Sequence, residues 1–138
     1  MAIAAARAGE LGVVDLSYER DECVRSTELS RLRRNANSKD GWGVRCDVGR
    51  DGYRAIESLE ALADQPWPLL ILANVGTDSA SLQEVLSRAR QLAKSVYLEV
   101  YDLPGALAAE AAGFDGLILK GNEAGGRIGA ESTFVLLQ

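Results

Sequence analysis

Five short runs rich in valine, isoleucine and leucine recur along the chain: Gly12 to Leu16, Trp42 to Val48, Leu69 to Val75, Val96 to Tyr101 and Gly116 to Leu119. Each is too short for a helix, and such runs read as strands buried on both faces. Their starts lie about 30, 27, 27 and 20 residues apart, the length of a strand plus the crossover helix that returns to a parallel neighbour. The segments between them have helical periodicity: Ser26 to Arg34, Tyr53 to Ala63, Ser81 to Ala93 and Pro104 to Ala112. Ile56, Leu59, Leu62 and Ala63 share one helical face, as do Leu82, Val85, Leu86, Ala89 and Leu92, while Glu57, Glu60, Arg88 and Arg90 point away.

Local punctuation supports this reading. Ser81 with Glu84 has the spacing of a capping box, Pro104 suits a first helical turn, and Gly113 stops the helix it follows. Ala2 to Ala8 reads as a leading helix ended by Gly9, so the order is a helix followed by alternating strands and helices. The expected fold class is α/β with a parallel sheet and right-handed crossovers. An open flavodoxin-like sheet is the alternative, although that fold begins with a strand.

Composition excludes several function classes. The 138 residues carry 20 acidic and 15 basic side chains, a formal charge of -5, which disfavours nucleic acid as the main partner. Histidine is absent, which removes Ser/His/Asp and Cys/His triads and HExxH zinc sites. Cys23 and Cys46 stand far apart with no CxxC pair, so a disulfide framework or thiolate metal site is not expected. Ala2 to Ala6 is too brief for a signal segment or membrane span, and the expectation is a cytoplasmic protein with no membrane contact. With 47% hydrophobic and 25% charged residues, positions 1–138 read as a single domain with a real core. Arg31, Arg33 and Arg34, with Glu28 close by, read as a solvated helix face. After the last strand, Glu131 or Ser132 reads as an N-cap and Thr133 to Gln138 as the opening of a further helix, so the sequence looks like part of a longer βα repeat in a larger enzyme.

The chemistry concentrates between Lys120 and Gly129 (KGNEAGGRIG), after a strand and before a helix. Glycines there permit sharp turns and leave amides bare, a cradle suited to phosphate. The same glycines also serve such a connection in proteins with no ligand. Among single residues, Trp42 and Trp67 read as core at strand entrances. Glu99 and Asp102, at the end of the fourth strand, are candidate pocket carboxylates, with Asp15 and Asp47 in similar positions.

The stretch from Gly113 to Gly129, with Thr133 to Gln138, resembles the signature of the nitronate monooxygenase family, which includes flavin-dependent enoyl-acyl carrier protein reductases. Ala2 to Gly12, Gly43-Val44 and Ala108 to Gly113 are similar, in order, to earlier segments of that family. The resemblance implies a partial (β/α)8 TIM barrel with about five parallel strands, running from the family's first helix to the start of its sixth. It implies FMN as cofactor, with Lys120, Glu123, Ala124, Gly125 and Gly126 at the cofactor-binding positions and the Gly125 and Gly126 amides on the phosphate, held weakly or not at all by this stretch alone because the family completes the phosphate site with loops after strands seven and eight. Lys120 takes the place of a glutamine beside the flavin ring. The lysine of Lys120-Gly121 and Arg127 resemble the version found at the N-terminal end of large bacterial type I polyketide synthases, which makes an acyl carrier protein a possible substrate carrier.

Two departures stand out. The family's catalytic histidine is Arg127 here, and arginine does not give up its proton to serve as a base. A flavin-contacting asparagine is Arg45 here. The catalytic residue is therefore unassigned, and two readings stand: an FMN-dependent oxidoreductase domain, or a non-catalytic scaffold or docking domain of a synthase. On either reading the family's strands one, seven and eight are missing. Both edge strands are then open, with Val14, Ile71 and Ile118 expected on the barrel-facing side, and association with a second copy or with the rest of a parent synthase is expected.

Overall fold

A computed structural model describes residues 2–19, 21–36, 41–51, 54–61 and 65–138. Its strands are β1 (Gly12–Asp15), β2 (Trp42–Asp47), β3 (Trp67–Ala73), β4 (Ala93–Val100) and β5 (Gly116–Leu119). They form one sheet in the order β1-β2-β3-β4-β5, and every neighbouring pair is parallel. The helices are α1 (Ala2–Arg7), α2 (Glu22–Asn35), α3 (Val48–Asp51), α4 (Arg54–Ala61), α5 (Ser79–Leu92), α6 (Leu103–Ala112) and α7 (Thr133–Leu136). Sequential order is what repeated right-handed βα units produce when the chain never reverses. A flavodoxin-like sheet has the order 2-1-3-4-5, so the open-sheet alternative is excluded.

Strand alternation separates two faces. Trp42, Val44 and Cys46 of β2, Leu70 and Leu72 of β3, and Val96, Leu98 and Val100 of β4 join Ala6, Leu29, Leu32, Ile56, Leu59 and the α5 stripe in one core. Leu82, Val85, Leu86, Ala89 and Leu92 are all buried there, as the periodicity predicts; each buried leucine contributes about 1.5–3 kcal/mol. Of the α4 stripe, Ile56 and Leu59 are fully buried, while Tyr53, Leu62 and Ala63 lie outside the described residues. Trp42 and Trp67 meet edge to face at 5.6 Å between ring centroids, core partners at the strand entrances.

Val14 belongs to this helix-side core and not to the inner face expected for it, because its place in the β1 alternation puts it with Leu16. Ile71 and Ile118 do alternate with the core positions and fall on the other face. There Tyr97 lies across Gly116: a Cβ at that glycine would stand 2.7 Å from the ring.

Several local expectations shift. α2 begins at Glu22, earlier than the apolar stripe suggests, because the Asp21 carboxylate accepts the Cys23 and Val24 amides. The cap of α5 is Asp78, not Ser81; its carboxylate accepts the Ser81 amide at 2.9 Å. Ser132 is the cap of α7. Arg33 is not simply solvated, since its guanidinium lies 4.1 Å over the Trp67 ring and donates to the Gln65 carbonyl. The short α3 has no counterpart in the apolar pattern.

Candidate functional site

The carboxyl ends of all five strands converge on one polar cluster. Asp15 ends β1 and Ser17 follows it; Arg45 and Asp47 close β2; Asn74 follows β3; Glu99 and Tyr101 lie at the end of β4; Lys120 follows β5. The register sets Asp15 directly beside Arg45. Strand alternation turns Asp15, Arg45, Asp47 and Glu99 away from the helix-side core, the face on which a barrel gathers its site residues.

Arg45 is the hub. Its Nε and Nη2 donate to the two Glu99 carboxylate oxygens at 2.7 and 2.8 Å, a bidentate pair, and its Nη1 reaches Asp15 at 3.1 Å and the Ser17 hydroxyl. The Glu99 side chain is only 5% exposed and that of Arg45 16%. Arg45 has a raised pKa, chiefly from its hydrogen bonds to Glu99, with burial opposing and the charges of Glu99 and Asp15 adding to the rise. For Asp15, burial works upward, but hydrogen bonds from Ser17 and the Arg45 charge outweigh it and hold the carboxyl below its ordinary value. Lys120 Nζ approaches Glu99 from the other side at 3.9 Å.

A second set of contacts centres on Asn74, the sole non-glycine residue with positive φ (57°) among the described residues. Its Nδ2 donates to Asp47, and its Oδ1 accepts from the Tyr101 hydroxyl at 3.0 Å and from Arg127 Nη1 at 3.2 Å. The Arg127 guanidinium sits 5.0 Å from the Tyr101 ring centroid. Burial, followed by the Glu99 charge, raises the Tyr101 phenol above its ordinary value, so it stays a hydrogen-bond donor at neutral pH.

These groups enclose a cavity of about 180 Å³, bounded by Asp15, Arg45, Asp47 and Asn74 on the sheet and by Tyr18, Lys120, Gly125, Gly126 and Arg127 on the loops. A larger hollow of about 550 Å³ lies outside the sheet between α1, α2 and β1, lined by Ile3, Val14 and Leu32 with Arg7, Glu28 and Arg31 at its rim. It lacks the convergent strand-end groups of the smaller one.

The glycine-rich loop separates into two kinds of glycine. Gly121 and Gly129 are required by packing, since a Cβ would stand 2.1 Å from the Thr133 nitrogen and from the Tyr101 carbonyl oxygen respectively. The loop base is closed by Gly129 N–H to Lys120 O at 2.9 Å and Asn122 N–H to Glu131 O at 2.8 Å. Gly126 needs its glycine for φ, at 80°. Gly125 has neither requirement: nothing lies within 4 Å of where its Cβ would be.

Of the residues marked by the sequence, Lys120, Gly125, Gly126, Arg127, Arg45, Asp15 and Asp47 line the cavity together, and Glu99 sits directly behind Arg45. Glu123 and Ala124 lie in the same loop but do not line it. The Glu123 carboxylate accepts the Thr133 amide at 2.9 Å, which lowers its pKa, and the Ala124 amide donates to Gly121 O. Asp102 caps α6, accepting the Gly105 amide at 2.7 Å. Sequence reasoning missed Ser17, Asn74 and Tyr101. Their signal was weak, because a serine, an asparagine and a tyrosine just after apolar runs are common turn and edge residues. Among the described residues no group of His, Cys, Asp and Glu can hold a metal ion, and no helix is long and apolar enough to cross a membrane.

No protein-family model and no curated protein sequence matches the chain. Solved structures do. FabK from Thermotoga maritima superposes with a TM-score of 0.72 at 25% identity, covering 99% of this chain and 40% of that one. A point mutant of the same protein gives 0.73 at 24% identity, with 99% and 42% coverage. A nitroalkane oxidase from Streptomyces ansochromogenes gives 0.69 at 24% identity, covering 93% of this chain and 44% of that one. The chain therefore spans well under half the length of these neighbours, and its five parallel βα units are a partial TIM barrel.

Proposed function

We propose that the chain is part of an FMN-dependent oxidoreductase-type barrel, with the flavin phosphate held on Gly125 and Gly126 beside Lys120. The observation that carries this reading is Gly125: packing and backbone geometry ask nothing of it, yet it lines the strand-end cavity as bare backbone. The nitroalkane oxidase among the solved structures of like fold and the family-like loop sequence support it. The cavity between the described residues, about 180 Å³, is below the ~300–1,000 Å³ of typical small-molecule pockets. These residues thus fit the phosphate end of FMN and leave its ring to neighbouring structure. When bound, the flavin would supply hydride transfer; this chain's own residues bind its phosphate, orient it and set the charge around it.

The parent fits a type I polyketide synthase, with an acyl chain on an acyl carrier protein as substrate. A scaffold or docking role in the same synthase is the second reading. It is favoured by Arg127, which stands at the family's histidine position and forms a hydrogen bond to Asn74 that a base would not need. Among the described residues the outer edges of β1 and β5 have no strand partner, which suits pairing with further barrel strands, from the rest of such a parent or from a second copy.

The test is a flavin fluorescence titration of the protein beside its Gly125→Val variant. Open space around Gly125 means that the valine leaves the melting temperature unchanged while obstructing a phosphate. Weak saturable FMN binding, since the chain holds only the phosphate end of the site, reduced at least tenfold further by the valine, is the expected result. Absence of binding, or equal binding by both proteins, would overturn the reading.

A further inference from the structure

We propose that Arg127 is the specificity-determining residue of the strand-end cavity and that it takes a carboxylate group of an acidic substrate. The inference rests on the reading of that cavity as a ligand site and adds the chemical class of the ligand.

Three cations face the cavity, and they are not equivalent. The Arg45 guanidinium is enclosed by Glu99, Asp15 and Ser17, with Nε, Nη1 and Nη2 all engaged. Lys120 leans on Glu99 at 3.9 Å. Arg127 has no carboxylate partner among the described residues: its contacts are one hydrogen bond from Nη1 to Asn74 and the Tyr101 ring. Four of its five N–H groups are left to receive a ligand. A guanidinium with a free edge matches the two oxygens of a carboxylate in a planar, bidentate pair, a geometry that an ammonium cannot offer.

The surroundings hold this guanidinium in place. Donation from Asn74 Nδ2 to Asp47 fixes which end of the amide faces Arg127, so that Oδ1 accepts from both Arg127 and Tyr101. Asn74 does this from a left-handed backbone conformation, one that asparagine adopts more readily than most residues. Asn74 is thus a positioning residue, and Tyr101 supports the flat face of the cation. An arginine cannot abstract a proton at this position, whereas it can hold an acidic substrate in register.

The test uses malonate as probe and uncharged malonamide as control, followed by chemical-shift titration of the protein at fixed ionic strength. The protein is expected to bind malonate saturably and at least tenfold more tightly than malonamide. Arg127→Gln is expected to abolish that preference, Arg127→Lys to restore part of it, and Asn74→Gly to weaken malonate binding several-fold. Equal binding of the two probes, no saturable malonate binding, or a preference that survives Arg127→Gln would overturn the proposal. Inorganic phosphate serves as a further arm. Phosphate binding that is unchanged in Arg127→Gln and lost in Gly125→Val, with no malonate preference, would assign the anion site to the glycine loop and reject the role of Arg127. FMN titration of Gly125→Val fails or succeeds independently of the malonate result, so the two readings are separable.

Discussion

Replacing Arg45 with methionine tests whether the ion cluster under the cavity holds the strand ends together. Methionine keeps much of the length and apolar stem of arginine, so the change removes mainly charge and donors. Glu99, 5% exposed, would lose two charge-assisted hydrogen bonds of 2.7 and 2.8 Å. Such bonds contribute about 1.5–3 kcal/mol each, and leaving a buried charge without its partner costs about 3–5 kcal/mol in total. Lys120 at 3.9 Å and the Tyr101 hydroxyl at 3.4 Å remain near the carboxylate and reduce the loss. The expected destabilisation is therefore about 3 kcal/mol, read by urea denaturation with fluorescence of the two tryptophans. Glu99→Gln is expected to cost about 1 kcal/mol, since its amide oxygen still accepts from Arg45 and Asp15 still balances the cation. The double variant should cost at least about 1.5 kcal/mol less than the sum, because the two residues form one unit. A loss below about 1 kcal/mol for Arg45→Met, or strict additivity in the cycle, would refute the claim that Glu99 is neutralised by Arg45.

Acid titration of Asp15→Asn should show a flatter loss of stability than the parent protein. The folded Asp15 carboxyl lies below its ordinary value, so its stabilisation is present above that ordinary value and disappears as pH falls through the folded pKa. Thiol reagents should modify Cys23, which is exposed, and leave Cys46 untouched in the folded state, because Cys46 is fully buried and its pKa is pushed up to about 12; two equally fast thiols would contradict the packing of β2. Gly113→Ala should lower stability by about 1 kcal/mol in thermal melts, since Gly113 ends α6 at φ 93° while donating to Ala109 and Glu110 carbonyls. Arg127→His should not by itself produce nitronate oxidation in an oxygen-consumption assay, because a base acts only beside a positioned flavin.

What could be read from the sequence was local. The strands announced themselves because interior parallel strands are apolar on both faces, and α5 because five buried positions repeat at helical spacing. Errors fell where a single polar contact decides. Asp21 and Asp78, ordinary surface acids by composition, became caps and moved two helix starts. The pairing of Arg45 with Glu99 joins residues 54 apart in sequence, and no periodicity marks such a pair. A signal was nevertheless present: Asp15, Arg45 and Glu99 are charged residues of opposite sign set inside otherwise apolar strands, and isolation in such strands demands a partner. Asn74 gave no comparable sign, because its role follows from one positive φ and three neighbours supplied by three different elements.

The layout of charge at the strand ends connects these observations. A well-packed apolar pair in place of Arg45 and Glu99 would serve stability as well as the ion pair does, because desolvation offsets most of the Coulombic gain. The pair has a different consequence for the cavity. By holding Arg45 in a closed arrangement with Glu99 and Asp15, it removes that cation from competition for an anion at the centre of the sheet. Positive charge without a carboxylate partner among the described residues is then left on the β5 side, at Arg127, next to the bare backbone of Gly125 and Gly126. An anionic group entering the cavity meets acids over β1 and β2 and a free guanidinium edge on the opposite loop. It is drawn to one wall, which fixes orientation even in a small cavity, and substrate orientation is the contribution that a protein makes when a cofactor carries the reaction.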